Sequence, residues 1–192
     1  MENITKNKRL AKEDRILHVI KIAKGLFLSQ GYSATSTAQI ARESEIAEIT
    51  LFRYFSTKRE LFEAVIKPLV DFEEVTMTRP NNEPSARQDI FNILHKKIRF
   101  AKQERELVRL VIVESLHQPD LAGEFNPVAN TSGRLRDFLL GTGLNEETSQ
   151  VIVNLIMGLM LMIVFTPRYD ERAIDVTAKL IESQIMRLIN NA

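Results

Sequence analysis

A chain of 192 residues with 44% apolar side chains can bury a real core, as one ordinary domain or two small ones. It contains no cysteine, which excludes disulfides, thiolate metal sites and a thiol nucleophile, and which suits a reducing cytoplasm. The net charge of +1 conceals an asymmetry: residues 1–60 carry 11 Lys and Arg against 7 Asp and Glu, a surplus of +4, while the remainder stands at −3.

The opening MENITKNKRLAKEDR lacks the apolar run of a signal peptide. A first helix follows, with Ile16, Ile20, Ala23, Phe27 and Leu28 on one face and a stop near Gly31. Ser36 with Gln39 forms a capping signature for a second, short helix that buries Ile40 and Ala41. A third runs from Ile49 to Phe55, and Thr57 with Glu60 opens a fourth. Helices this short do not stand alone. Ile16, Ile20, Phe27, Ile40, Ala41, Ile46, Leu51 and Phe55 supply a three-helix core for them. That is a helix-turn-helix, whose second helix enters a DNA major groove with Ala47, Glu48, Thr50 and Arg53 outward.

The segment TRPNNEP is a loop by its Pro and Asn content and divides the chain. The expected domains are 1–56, joined through a connecting helix at 58–77 to a larger helical region at 78–192. In that region Ser85 with Gln88 caps a helix reaching Lys102, and another covers Glu104 to Leu116. Asp120 to Leu140 is helical but broken near Pro127. Asn145 caps a helix running to Phe165, and Asp170 caps the last one. Val151 to Phe165 is shorter than the roughly 20 residues a membrane span needs, so it predicts a buried helix and no membrane partner. No strand alternation and no internal repeat is visible. The fold class is all-α, with about nine helices.

RILHVIKIAKGLFLSQGYSATSTAQIA and LFRYFSTKRELFEAV together resemble the TetR/AcrR family of bacterial transcriptional regulators, from about Arg15 to Ala64. The resemblance implies that Thr35 and Ser36 touch phosphate and that Ala47, Glu48 and Thr50 face base edges. It further implies backbone contacts from Phe52 and Tyr54 and a phosphate contact from Lys58. The chain departs from the family pattern in having Glu45 and Ile49 where glycine is usual. Glu43, Glu45 and Glu48 place negative charge close to DNA. Glu48 can accept from a cytosine amino group, and Ile49 can either meet a thymine methyl or pack.

Several features stay open between two or three readings. Lys6 to Arg9 is either a minor-groove arm or a solubilising tail. The run Lys96, Lys97, Arg99, Lys102, Arg105 and Arg109 is either a site for an acidic ligand or a solvated helical face. IMGLMLMIVF is a core, an apolar lining or, by the resemblance, part of a four-helix dimer interface. Ile152, Leu155, Gly158, Leu159, Met162, Ile174, Ile181 and Ile185 are the interface residues so implied. An apolar effector pocket is expected if Phe91, Leu94, Ile98, Leu107, Val111, Phe125 and Phe138 converge. His18, His95 and His117 form no short-spaced ligand pair, so no metal and no cofactor is expected. No nucleophile elbow or phosphate loop appears, so no enzyme is expected.

The expected function is a cytoplasmic, homodimeric, sequence-specific regulator of double-stranded DNA. The expected mode is a repressor released from a palindromic operator by a small apolar effector. The rival is a helical dimeric protein-interaction module with DNA binding secondary or lost.

Overall fold

A computed structural model describes residues 2–77, 86–118, 127–166 and 170–191. Among them are nine helices and no strand. These are α1 (Glu2–Gln30), α2 (Thr37–Glu43), α3 (Glu48–Tyr54), α4 (Lys58–Met77), α5 (Ala86–Gln103), α6 (Arg105–His117), α7 (Pro127–Leu140), α8 (Glu146–Phe165) and α9 (Glu171–Asn191). The chain forms two compact units, Met1–Leu69 and Val70–Ala192, and the division falls inside α4. It lies N-terminal to the proline-rich loop read from sequence, whose residues 78–85 are outside the described set, as is the Ser85 cap.

In the first unit α2 packs on both α1 and α3. The buried stripe of α1 is Val19, Ala23 and Phe27. Ile16 and Ile20 are only half-buried and Leu28 is exposed, so the stripe is rotated from the expected face. Val19, Ala23 and Phe27 recur every four residues and so share one face of the helix. Ile40, Ala41, Leu51 and Phe55 fill the centre, and Leu61, Phe62, Val65, Ile66 and Leu69 of α4 close it. Phe27, Tyr32 and Phe62 form an aromatic trio with centroids 4.9 to 5.6 Å apart. The α1 backbone is helical from Glu2, so Lys6 to Arg9 continue a helix instead of forming an extended arm.

In the second unit α8 is the central helix, in contact with α5, α6, α7 and α9. Its Ile152, Val153, Ile156, Leu159 and Ile163 meet Ile90, Leu94 and Ile98 of α5, Leu135 and Leu139 of α7, and Ile174 and Ile185 of α9. At 20 residues α8 is long and apolar enough to cross a membrane by length and composition alone. Its buried face marks it as a core helix of this unit. Local chemistry sets its ends. Asn145 Oδ1 accepts from the Thr148 amide at 2.8 Å. At the other end Arg105 Nε donates to the Ile163 carbonyl at 2.9 Å and its guanidinium also to the Thr166 carbonyl, placing a cation on a helix C-terminus. Asp170 Oδ1 accepts from the amides of Arg172 and Ala173 to start α9.

The basic run of α5 and α6 is absorbed into this scaffold. Lys97 is 0% exposed, with its ammonium 5.9 Å from the Phe72 ring, and Phe72 stacks on Phe100 at 3.8 Å. Lys102 bonds Asp175 at 2.6 Å and lies 3.6 Å from Glu171, joining α5 to α9. Lys96, Arg99 and Arg109 are the exposed members. Neither an acidic-ligand site nor a uniformly solvated face describes this arrangement.

Candidate nucleic-acid interface

The turn between α2 and α3 is built from backbone bonds. The Ile46 amide donates to the Ala41 carbonyl at 3.0 Å and the Glu45 amide to the Arg42 carbonyl at 3.1 Å. This pair of bonds is a Schellman ending, which requires a left-handed residue between helix and exit. Glu45 fills that position at φ +56°, the left-handed region where glycine is unstrained. Ile46 follows half-buried beside it. The turn therefore keeps its geometry despite the glutamate.

The approach to α2 is equally specified. Gly31 at φ +85° ends α1, and the Thr35 hydroxyl donates to its carbonyl at 2.7 Å. Thr35 is 1% exposed, so its side chain cannot meet a phosphate; this corrects the role implied for it. Ser36 is exposed and its Oγ accepts from the Gln39 amide at 3.1 Å, the expected cap. Gln39 does not complete the reciprocal half of the capping box; its Oε1 accepts from Gln30 at 2.8 Å. At α4, Thr57 Oγ1 accepts from the Glu60 amide at 3.0 Å, and Glu60 reaches back to the Ser56 amide at 2.6 Å.

On α3 only Leu51 is buried. Ala47, Glu48, Ile49, Phe52 and Arg53 are exposed, and Thr50 and Tyr54 are half-buried. Ile49, at 74% exposure, stands almost opposite Leu51 on the helix and one turn from Arg53. Lys58 Nζ lies 4.3 Å from the Tyr32 ring centroid and 3.4 Å from the Ser33 carbonyl, tying the start of α4 to the loop after α1.

Two residues of this surface escaped the sequence reading. Thr37 Oγ1 donates to Glu48 Oε1 at 2.7 Å, bracing the first turn of α2 against that of α3. Tyr32 is the platform under Lys58. The Thr37 contact spans 11 residues and leaves no local pattern. The aromatic after the glycine turn was a visible cue for Tyr32.

Residues 19–65 match the model of the bacterial regulatory proteins of the TetR family. The chain carries a TetR-family helix-turn-helix domain. Its first unit is the family's DNA-binding helix-turn-helix domain, and the family's members are transcription factors, not enzymes. The nucleoid occlusion factor SlmA of Pasteurella multocida is 30% identical over 111 residues, 57% of this chain and 55% of that protein. The regulator QacR of Staphylococcus aureus is 41% identical over 44 residues, 23% of each. The chain spans about half the length, or less, of these curated relatives. The flavonoid-responsive regulator FrrA is similar over 91% of this chain and 96% of its own, at 26% identity and a TM-score of 0.64. A TetR-family regulator from Pseudomonas syringae shares the fold over 88% and 93% at 17% identity, with a TM-score of 0.68.

The second unit redistributes the remaining candidates. Leu94 and Ile98 sit in the packed core with Phe138 against it, Leu107 and Val111 are buried on α6, and Phe91 is half-buried. Phe125 lies outside the described residues. Of the implied interface residues, Ile152, Leu159, Ile174 and Ile185 are at most 3% exposed inside their own chain, so they are unavailable to a second copy. Leu155, Met162 and Ile181 are half-buried and Gly158 is exposed. Among the described residues no group of three or more His, Asp or Glu could hold a metal ion.

Proposed function

We propose that this chain is a homodimeric, cytoplasmic transcription regulator that represses by binding a palindromic operator and leaves it when a small apolar effector binds. The observation that carries the reading is the outward face of α3. Ala47, Glu48, Ile49, Phe52 and Arg53 are exposed on a helix anchored by Leu51, in a domain of the TetR family. Ser36, Tyr54 and Lys58 flank it as phosphate contacts, with Lys58 sharing its ammonium with the Ser33 carbonyl. Thr50 and Arg53 reach base edges, and Glu48 offers its second carboxylate oxygen to a cytosine amino group.

Dimerisation is supported by a seam on α8. Val151, Leu155, Gly158, Met162 and Phe165 recur at steps of four, three, four and three, the spacing of a helix-pairing face. Val176 and Leu180 extend apolar surface on α9, at 53% and 62% exposure. Two copies joined there would hold two recognition helices for successive half-sites about 34 Å apart. The effector reading is supported by the name of the flavonoid-responsive relative and by the apolar residues Phe91, Leu107, Val111 and Phe138. Release requires that the effector bind the operator-incompetent state more tightly.

Selection of genomic fragments with the purified chain tests the reading. A palindromic site whose log affinity falls linearly with log salt supports it. Weak binding without sequence preference overturns it and favours the protein-interaction module, a reading in keeping with relatives named for nucleoid occlusion.

A further inference from the structure

The outermost side chain of α3 is apolar. Ile49 is 74% exposed, lies far round the helix from the buried Leu51, and contributes little to the core. Glu48, next to it, is drawn by its hydrogen bond with Thr37 toward α2, so the carboxylate does not fold over the isoleucine's exposed end. Arg53 follows Ile49 by four residues on the same ridge, about 6 Å along the axis. The major groove offers one apolar group for an aliphatic side chain at such a position, the 5-methyl of thymine.

We infer that Ile49 is a specificity-determining residue that reads a thymine methyl in each half-site, within about two base-pair steps of the position contacted by Arg53. The inference rests on the DNA-reading function proposed above and adds to it a base identity. The pairing edge of thymine is irrelevant to the contact, so thymine and uracil differ there by the methyl alone. Because Ile49 is exposed, truncating it leaves the domain folded, and an effect on binding is separable from an effect on stability.

The test uses the full chain and its selected operator, with each thymine of a half-site replaced in turn by deoxyuridine. One replacement per half-site is expected to weaken binding about fourfold, the worth of one buried methyl, and the others to change it little. In Ile49→Ala the thymine and uracil operators should bind equally, with the melting temperature unchanged. Ile49→Val should keep a reduced preference. If an operator is recovered but no uracil substitution weakens binding, or if Ile49→Ala keeps the full preference, the inference is wrong while the regulator reading stands. If no operator is recovered, the regulator reading fails and this inference falls with it.

Discussion

The two units use charge in opposite ways. In the first, Arg53 is exposed on a helix with one buried residue, and Lys58 tops a short cap-to-loop contact. In the second, Lys97, Lys102 and Arg105 turn inward, to an aromatic pair, to the carboxylates of α9 and to the end of α8. On α5 and α6 the same residue types serve as fasteners between helices. The positive surplus of residues 1–60 belongs to the unit that matches a DNA-binding family, and the second unit contains the fastened cations.

The sharpest way to break the contrast is to remove the anchor of the first unit. Phe27→Ala deletes a fully buried ring that touches Tyr32 and Phe62. It should cost about 4 kcal/mol in denaturant unfolding, and operator binding should be lost with the fold. Arg105→Ala strikes the fastener type of cation. It strips the Ile163 and Thr166 carbonyls of a charged donor and should cost about 2 kcal/mol, read as a lowered melting temperature. A comparable change at the exposed Arg53 should leave stability within about 0.5 kcal/mol but lower operator affinity by about 1–3 kcal/mol and relax sequence preference at one position of each half-site.

Glu45→Gly relieves the left-handed glutamate and should stabilise the first unit by about 1 kcal/mol, seen as a higher denaturation midpoint. Loss of its charge should also strengthen non-specific DNA binding at low salt. The smallest effect belongs to the second unit. The Ser149 hydroxyl is buried with no hydrogen-bond partner among the described residues, so Ser149→Ala should be neutral or stabilising by up to about 1 kcal/mol in the same assay. A marked destabilisation there would mean that the hydroxyl is satisfied in solution.

Local patterns carried the helix caps of both units. Ser36, Thr57, Asn145 and Asp170 each cap the helix expected of them, because a cap is decided within three residues of chain. On the recognition helix Ala47, Glu48 and Arg53 are exposed as expected, whereas Thr50 is half-buried and Ile49, which could have packed, is the most exposed, because Leu51 alone fixes the buried side. Thr35 was misread because its hydroxyl is used by a carbonyl four residues back, a bond that composition does not announce. The Thr37–Glu48 brace was missed because it depends on how two helices cross.

The amino-acid sequence by itself determined the all-α class, the capped helices, the helix-turn-helix and its family, all of which follow from short-range periodicity and hydrogen bonding. Only the tertiary structure decided which faces of α8 and α9 are core, that Lys97 is buried, and that Lys102 and Arg105 link helices. Apolar residues surround α8 on nearly every side, so its own pattern cannot say which of them meet α5, α6, α7 and α9. That choice is made by the packing of helices far apart in the chain, where each buried side chain depends on the volume its neighbours leave.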